Sequence, residues 1–147
     1  MTNIQTNTLD LILAAIGIDI SQLEPRAEDE GFRLELEDNF AVELLQLKSG
    51  RCRASARLCM LGKGLITQET QLVKALELYR ELFSAKPLIG LPSLAITDFD
   101  NCIRLVKDLP AVANSNEADQ VLKMLEDYVY IAQAFKKTFV KFEGDSP

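Results

Sequence analysis

Residues 32–61 read FRLELEDNFAVELLQLKSGRCRASARLCML, and this stretch decides the fold. Its opening, Phe32-Arg33-Leu34-Glu35-Leu36-Glu37, alternates apolar and charged side chains without a break. A period of two puts the apolar groups on one face and the charges on the other, as a half-buried strand requires. Asp38-Asn39 is turn chemistry, and Phe40–Leu47 beyond it is apolar on both faces. Ser49-Gly50 turns the chain again into Arg51–Leu61. There Cys52, Ala54, Ala56, Leu58 and Met60 face one way, and Arg51, Arg53, Ser55 and Arg57 the other. Three strands joined by two tight turns predict an antiparallel meander.

Helical patterns flank the meander. In Thr6 to Ile16, the residues Leu9, Ile12, Leu13 and Ile16 share one stripe, and Gly17 supplies a stop. After Gly62-Lys63-Gly64, Thr67 is expected to cap a second helix with Glu69 in its first turn. Leu72, Val73, Leu76, Tyr79 and Phe83 follow at helical spacing, and Pro87 ends the segment. Leu91–Thr97 and Cys102–Lys107 predict a hairpin around Asp98-Phe99-Asp100-Asn101. Asn116, with Asp119 three residues on, is expected to cap a last helix. Its core face would carry Val121, Leu125, Tyr128, Ala132, Phe135 and Phe139, with Lys136, Lys137 and Lys141 complementing the dipole at its end. The order α-β-β-β-α-β-β-α predicts an α+β sandwich, a mostly antiparallel five-stranded sheet covered by helices. No linker or repeat divides the chain, so a single domain over 1–147 is expected.

Composition narrows the function. The 147 residues carry 16 Lys and Arg against 22 Asp and Glu, a formal charge of −6. Such a chain repels phosphate backbones and anionic lipid, which argues against nucleic acid and membrane surfaces as partners. No stretch approaches the roughly 20 apolar residues of a spanning helix, and no basic region precedes Leu9–Ile18 as in a signal peptide. A cytoplasmic protein is expected. The sequence has no histidine, which removes Ser-His-Asp and Cys-His pairs, HExxH zinc sites and an imidazole base. No catalytic residue, metal ligand or cofactor site is assigned, and no enzyme is expected.

The remaining features have plain structural readings. Gly62-Lys63-Gly64 precedes a helix but lacks the spacing of a phosphate loop, so it reads as a connection. Asp98 and Asp100 lack the further oxygen ligands of a calcium loop and read as turn residues. Cys52, Cys59 and Cys102 show no CxxC spacing and are expected as reduced, buried thiols. The arginine face of the third strand is expected to pair with Glu35 and Glu37. What remains is apolar surface and sheet edges, which suit the binding of another polypeptide in extended form.

The element order, with Leu9–Ile16, Phe32–Leu36 and Tyr79-Arg80-Glu81-Leu82-Phe83, resembles the class I chaperones of bacterial type III secretion, the Tir chaperone (CesT) family. Leu94-Ala95-Ile96 with Cys102-Ile103-Arg104-Leu105-Val106, and Leu109-Pro110 before the last helix, extend the likeness over most of the chain. One departure is Ala85-Lys86-Pro87, where many relatives carry an asparagine-containing turn. The resemblance implies a cytoplasmic bacterial homodimer that binds the N-terminal region of a secreted effector, with the secretion ATPase as a further candidate partner. On that reading Leu9, Leu11, Ile12, Leu13, Ile16, Phe32, Leu34 and Leu36 would meet the effector. Leu72, Val73, Leu76, Tyr79, Phe83, Leu91, Leu94 and Ile96 would form the dimer interface. Two alternatives stay open: a small-ligand or regulatory domain on a similar sandwich, as in YbjN-like proteins, and an enzyme working with carboxylates alone.

Overall fold

The alternation that opens at Phe32 yields a strand that ends before Leu36, and Glu37 lies outside the described residues. β1 covers Phe32–Glu35, with Phe32 and Leu34 half-buried and Arg33 and Glu35 exposed. The computed structural model describes residues 8–18, 31–36, 40–83, 92–97 and 100–144, with the backbone alone for 140–144. The expected turn at Asp38-Asn39, Pro87, Leu91 and part of the 98–101 turn lie outside them. The other elements are α1 (Thr8–Ile16), β2 (Ala41–Gln46), β3 (Cys52–Met60), α2 (Leu65–Phe83), β4 (Ser93–Thr97), β5 (Cys102–Leu109) and α3 (Ser115–Gly144). The fold is therefore α+β, α-β-β-β-α-β-β-α, with an antiparallel five-stranded sheet in the order β1-β2-β3-β5-β4. β1 and β4 are its edge strands.

The helix ends show how local chemistry set the boundaries. α1 closes where Gly17, at φ 106°, lets its own N–H reach the Ala14 carbonyl and that of Ile18 reach Leu13. These are the two bonds of a Schellman motif. α2 begins two residues before the expected Thr67 cap, because the Gly64 carbonyl already accepts from Gln68 N–H at 3.2 Å. α3 is capped by Asn114 rather than Asn116. Its Oδ1 accepts from Glu117 N–H at 3.0 Å, while the Glu117 carboxylate reaches back to Ala113 N–H at 2.7 Å. That reciprocal pair is a capping-box variant, and it outcompetes the Asn116–Asp119 spacing.

The chain forms two compact units: Met1–Ala54 with Asp108–Tyr128, and Ser55–Lys107 with Val129–Pro147. In the first, β1 pairs antiparallel with β2, Phe32 opposite Leu44 and Leu34 opposite Val42. Leu47, Lys48, Ser49 and Gly50 make the β2–β3 turn, with Gly50 N–H bonded to the Leu47 carbonyl at 3.0 Å. Gly50 holds φ 91°, a left-handed conformation that a side chain would strain. α1 packs against β2. Leu9, Ile12, Leu13, Val42, Leu44, Cys52, Ala54, Val121, Leu125 and Tyr128 are buried in this unit.

In the second unit, β4 pairs antiparallel with β5, Leu94 opposite Leu105 and Ile96 opposite Ile103. α2 packs against β4 and buries Ala75, Leu78 and Phe83. Phe83 stacks on Phe135 with ring centroids 6.2 Å apart, and Tyr79 meets Phe83 edge-on at 4.7 Å. Pairs of this geometry add to simple area burial. The Tyr79 hydroxyl donates to the Pro92 carbonyl at 2.6 Å, which fastens α2 to the residue before β4.

Candidate functional site

Two surfaces emerge from the side chains that these elements leave open. The first lies on the first unit, beside α1 and along β1. Leu9, Ile12 and Leu13 are fully buried and anchor the helix. Leu11, Ala15 and Ile16 are half-exposed and Ala14 is exposed, so these form its open side. Phe32 and Leu34 share the sheet face of Leu44 and Val42, which are buried, yet they remain half-open because β1 ends the sheet. Leu36 is half-buried as well, and its N–H bonds the Phe40 carbonyl at 2.8 Å. The stripe read from sequence thus separates into three buried anchors and the half-exposed Ile16, with Leu11 half-exposed outside it.

Gly31 sets how closely β1 approaches β2. A Cβ built there would stand 2.9 Å from the Leu44 carbonyl oxygen, inside normal contact. The opposite face of the strand is charged. Arg33 lies across from Glu43 and pairs with Glu35 at 3.5 Å, both side chains largely in water. An exposed pair of this kind adds little stability. It does place mixed charge along an edge strand, which discourages uncontrolled pairing.

The second surface lies on the second unit, along α2. Leu65 and Ile66 are each 82% exposed, Val73 50% and Leu76 58%. Helical spacing puts Ile66 and Val73 opposite the buried Ala75 and Leu78, while Leu76 lies along the line of the buried Phe83, two turns before it. Leu72 and Tyr79 are half-buried, Phe83 is buried, Leu94 is half-buried, and Ile96 on the edge strand β4 is 47% exposed. The residues assigned from sequence to a dimer therefore divide. Phe83 and Tyr79 serve packing within the unit, while Val73, Leu76 and Ile96 face out. Leu65 and Ile66 belong with the exposed group and were missed, because the helix was expected to start at a Thr67 cap.

Arg53 of β3 pairs with Asp108 of β5 and Arg57 with Asp100 in the turn before it, while Glu35 pairs with Arg33 on its own strand and Glu37 lies outside the described residues. β1 neighbours β2, so its carboxylates are one strand removed. Arg53 instead grips Asp108 through two bonds, at 2.6 and 3.1 Å. The hydrogen bond from Arg53 holds the Asp108 carboxyl below its usual range, against the opposing effect of burial. In the second unit Arg104, 2% exposed, donates to Asp100, to Thr97 Oγ1 at 3.1 Å and to Ser55 Oγ at 3.2 Å. Asp100 also accepts from the Thr97 hydroxyl and from Arg57 at 3.3 Å. Burial raises the Asp100 carboxyl, but the bonds from Thr97 and Arg104, with the Arg104 charge, outweigh it and hold the group at about 2. A buried cation with this many partners is a structural tie at the β4–β5 turn.

The other chemical features are occupied by structure. Gly62 N–H bonds Gln71 Oε1 at 2.8 Å, and Gln68 Nε2 bonds the Gly62 carbonyl at 3.0 Å, so this loop fastens α2. Burial drives the Cys52 thiol up to about 12, with Asp108 adding to the rise, and burial likewise raises Cys102. Neutral thiols of this kind are poor nucleophiles. Cys59 is only half-buried and lies 3.9 Å from Gln71 Nε2, a departure from the expected buried trio. Among the described residues no group of three or more His, Cys, Asp or Glu could hold a metal, and no helix is long and apolar enough to cross a membrane.

One chain of the heterodimeric ExoU–SpcU complex, from the type III secretion system of Pseudomonas aeruginosa, superposes with a TM-score of 0.53. The match covers 87% of this chain and 92% of that one, at 19% identity. The fold is shared with that secretion-system chain. A chain of the ExsC–ExsE complex matches with a TM-score of 0.47 over 90% of this chain and 96% of its own, at 15% identity. A chain of the HopA1–SchA chaperone–effector complex gives 0.43 over 86% and 91%, at 14% identity. No family model matches the sequence, and no curated protein matches it.

Proposed function

We propose that this protein is a cytoplasmic type III secretion chaperone of the class I kind, which binds the N-terminal region of an effector in extended form. The observation that carries this reading is the half-open apolar strip of Phe32 and Leu34 on an edge strand, beside the open side of α1. An extended polypeptide can add its backbone to such an edge and place alternate side chains on the apolar strip. The fold shared over most of its length with a chain of a type III secretion complex supports the same reading. Binding keeps the effector segment from aggregating and requires no cofactor.

The chaperone acts as a homodimer in this proposal. Leu65, Ile66, Val73 and Leu76 leave four large apolar side chains of one helix at least half exposed, and exposed apolar side chains gathered on one element favour burial against a partner. A twin helix related by a two-fold axis would cover them, since a self-complementary patch favours isologous pairing. The test is affinity purification from the native cell, followed by limited proteolysis and mass spectrometry. One or a few partners, each keeping an N-terminal segment intact through digestion only while bound, is the expected result. Recovery of a small molecule, or of partners with no protected segment, would overturn the reading.

A further inference from the structure

We propose that Thr8 and Gln46 are positioning residues for the docking surface, holding the N-terminal end of α1 on β2, the strand that pairs with β1, and on the β2–β3 turn. The inference rests on the docking reading above and concerns what keeps its two walls in place. Thr8 is only 4% exposed although its side chain is polar. Its hydroxyl donates to the Gly50 carbonyl at 2.5 Å and accepts from Val112 N–H at 3.1 Å. One side chain thus ties the start of α1 to the β2–β3 turn and to the segment entering α3. Gln46, the last residue of β2, complements it. Its Oε1 accepts from Leu9 N–H at 2.8 Å, and its Nε2 donates to the carbonyls of Leu47 at 3.2 Å and Arg51 at 3.4 Å.

A first-turn amide of α1, that of Leu9, is therefore satisfied from another element. α1 has nine residues. A helix so short does not persist alone in water, so its formation is coupled to docking. The buried Leu9, Ile12 and Leu13 provide adhesion, but apolar contact has no direction and tolerates sliding. The hydrogen bonds are directional and fix where the helix stops. Losing the Thr8 hydroxyl would leave the Val112 N–H and the Gly50 carbonyl short of a partner, a cost that undocking α1 would relieve by admitting water.

The test uses hydrogen exchange on the full chain, with Thr8→Val, Thr8→Ser and Gln46→Leu. The probe is the strongest binder to the unmutated protein from a random dodecapeptide library, chosen because it slows exchange at residues 32–36. Thr8→Val and Gln46→Leu are expected to speed exchange over residues 9–17 by roughly tenfold or more, with 102–109 unchanged. Peptide affinity should fall by roughly fivefold or more in the same two variants, since a loosened wall must be reordered on binding. Thr8→Ser, which keeps the hydroxyl, should restore both. Unchanged exchange over 9–17 in both variants would overturn the proposal, and so would unchanged affinity despite a loosened helix. Failure of every library peptide to protect 32–36 would overturn the docking reading itself, an outcome distinct from a peptide that binds all variants alike.

Discussion

Asp100 shows how single side chains hold this fold. It gathers the buried Arg104, the more exposed Arg57 and the Thr97 hydroxyl around one carboxylate. Removing it by Asp100→Ala strands a buried guanidinium, and a loss of about 3–5 kcal/mol is expected in denaturant titration. Its folded-state pKa of about 2 lies below the ordinary 3.8, so the ionised group stabilises the fold above pH 4. That contribution, about 2 kcal/mol, should be lost as pH falls from about 4 to about 2, and the loss should be absent in Asp100→Asn. The cysteines belong to the opposite category. A variant with all three as alanine should fold and keep its partner, with stability lowered only by the small volume removed; binding lost from a folded variant would contradict this. At this scale the sequence was half legible. Asn114 and Glu117 stand at capping-box spacing, but so do Asn116 and Asp119, and only the hydrogen bonds decide between them. The partners of Arg53 and Arg57 depended on strand order, which no local pattern contains.

The elements themselves were legible where periodicity ran long. Every residue assigned to the core face of α3, from Val121 to Phe139, is buried. α1 and α2 were less clear because each has two apolar sides, and periodicity cannot tell the anchor from the open side. The structure separates them, and variants can check the separation. Leu11→Asp, on the half-exposed side of α1, should leave the melting temperature within a few degrees while weakening partner binding in a pull-down with the partner's N-terminal segment. A collapsed melting transition would instead make Leu11 a core residue. On α2, Leu78→Ala removes a buried side chain and should cost about 2–4 kcal/mol. Leu76→Asp, only two residues away but 58% exposed, should cost little stability and should convert a dimer to a monomer in light scattering. A dimer that survives Leu76→Asp and Val73→Asp together would move the interface off this helix.

For the whole molecule, the meander at 32–61 and the two hairpin strands that follow were enough to anticipate the α-β-β-β-α-β-β-α order. What that order could not supply was which faces stay open, since openness depends on the sheet ending at β1 and at β4. In the proposed complex an extended segment of the partner lies along β1 beside α1. Hydrogen exchange on the complex of this chain with its co-purified partner, compared with the chain alone, tests this placement most directly. Slowed exchange is expected at residues 32–36 and along α1 on binding, matched by slowed exchange in one extended N-terminal segment of the partner. Protection confined to other elements, with residues 32–36 exchanging as fast as in the free chain, would contradict it.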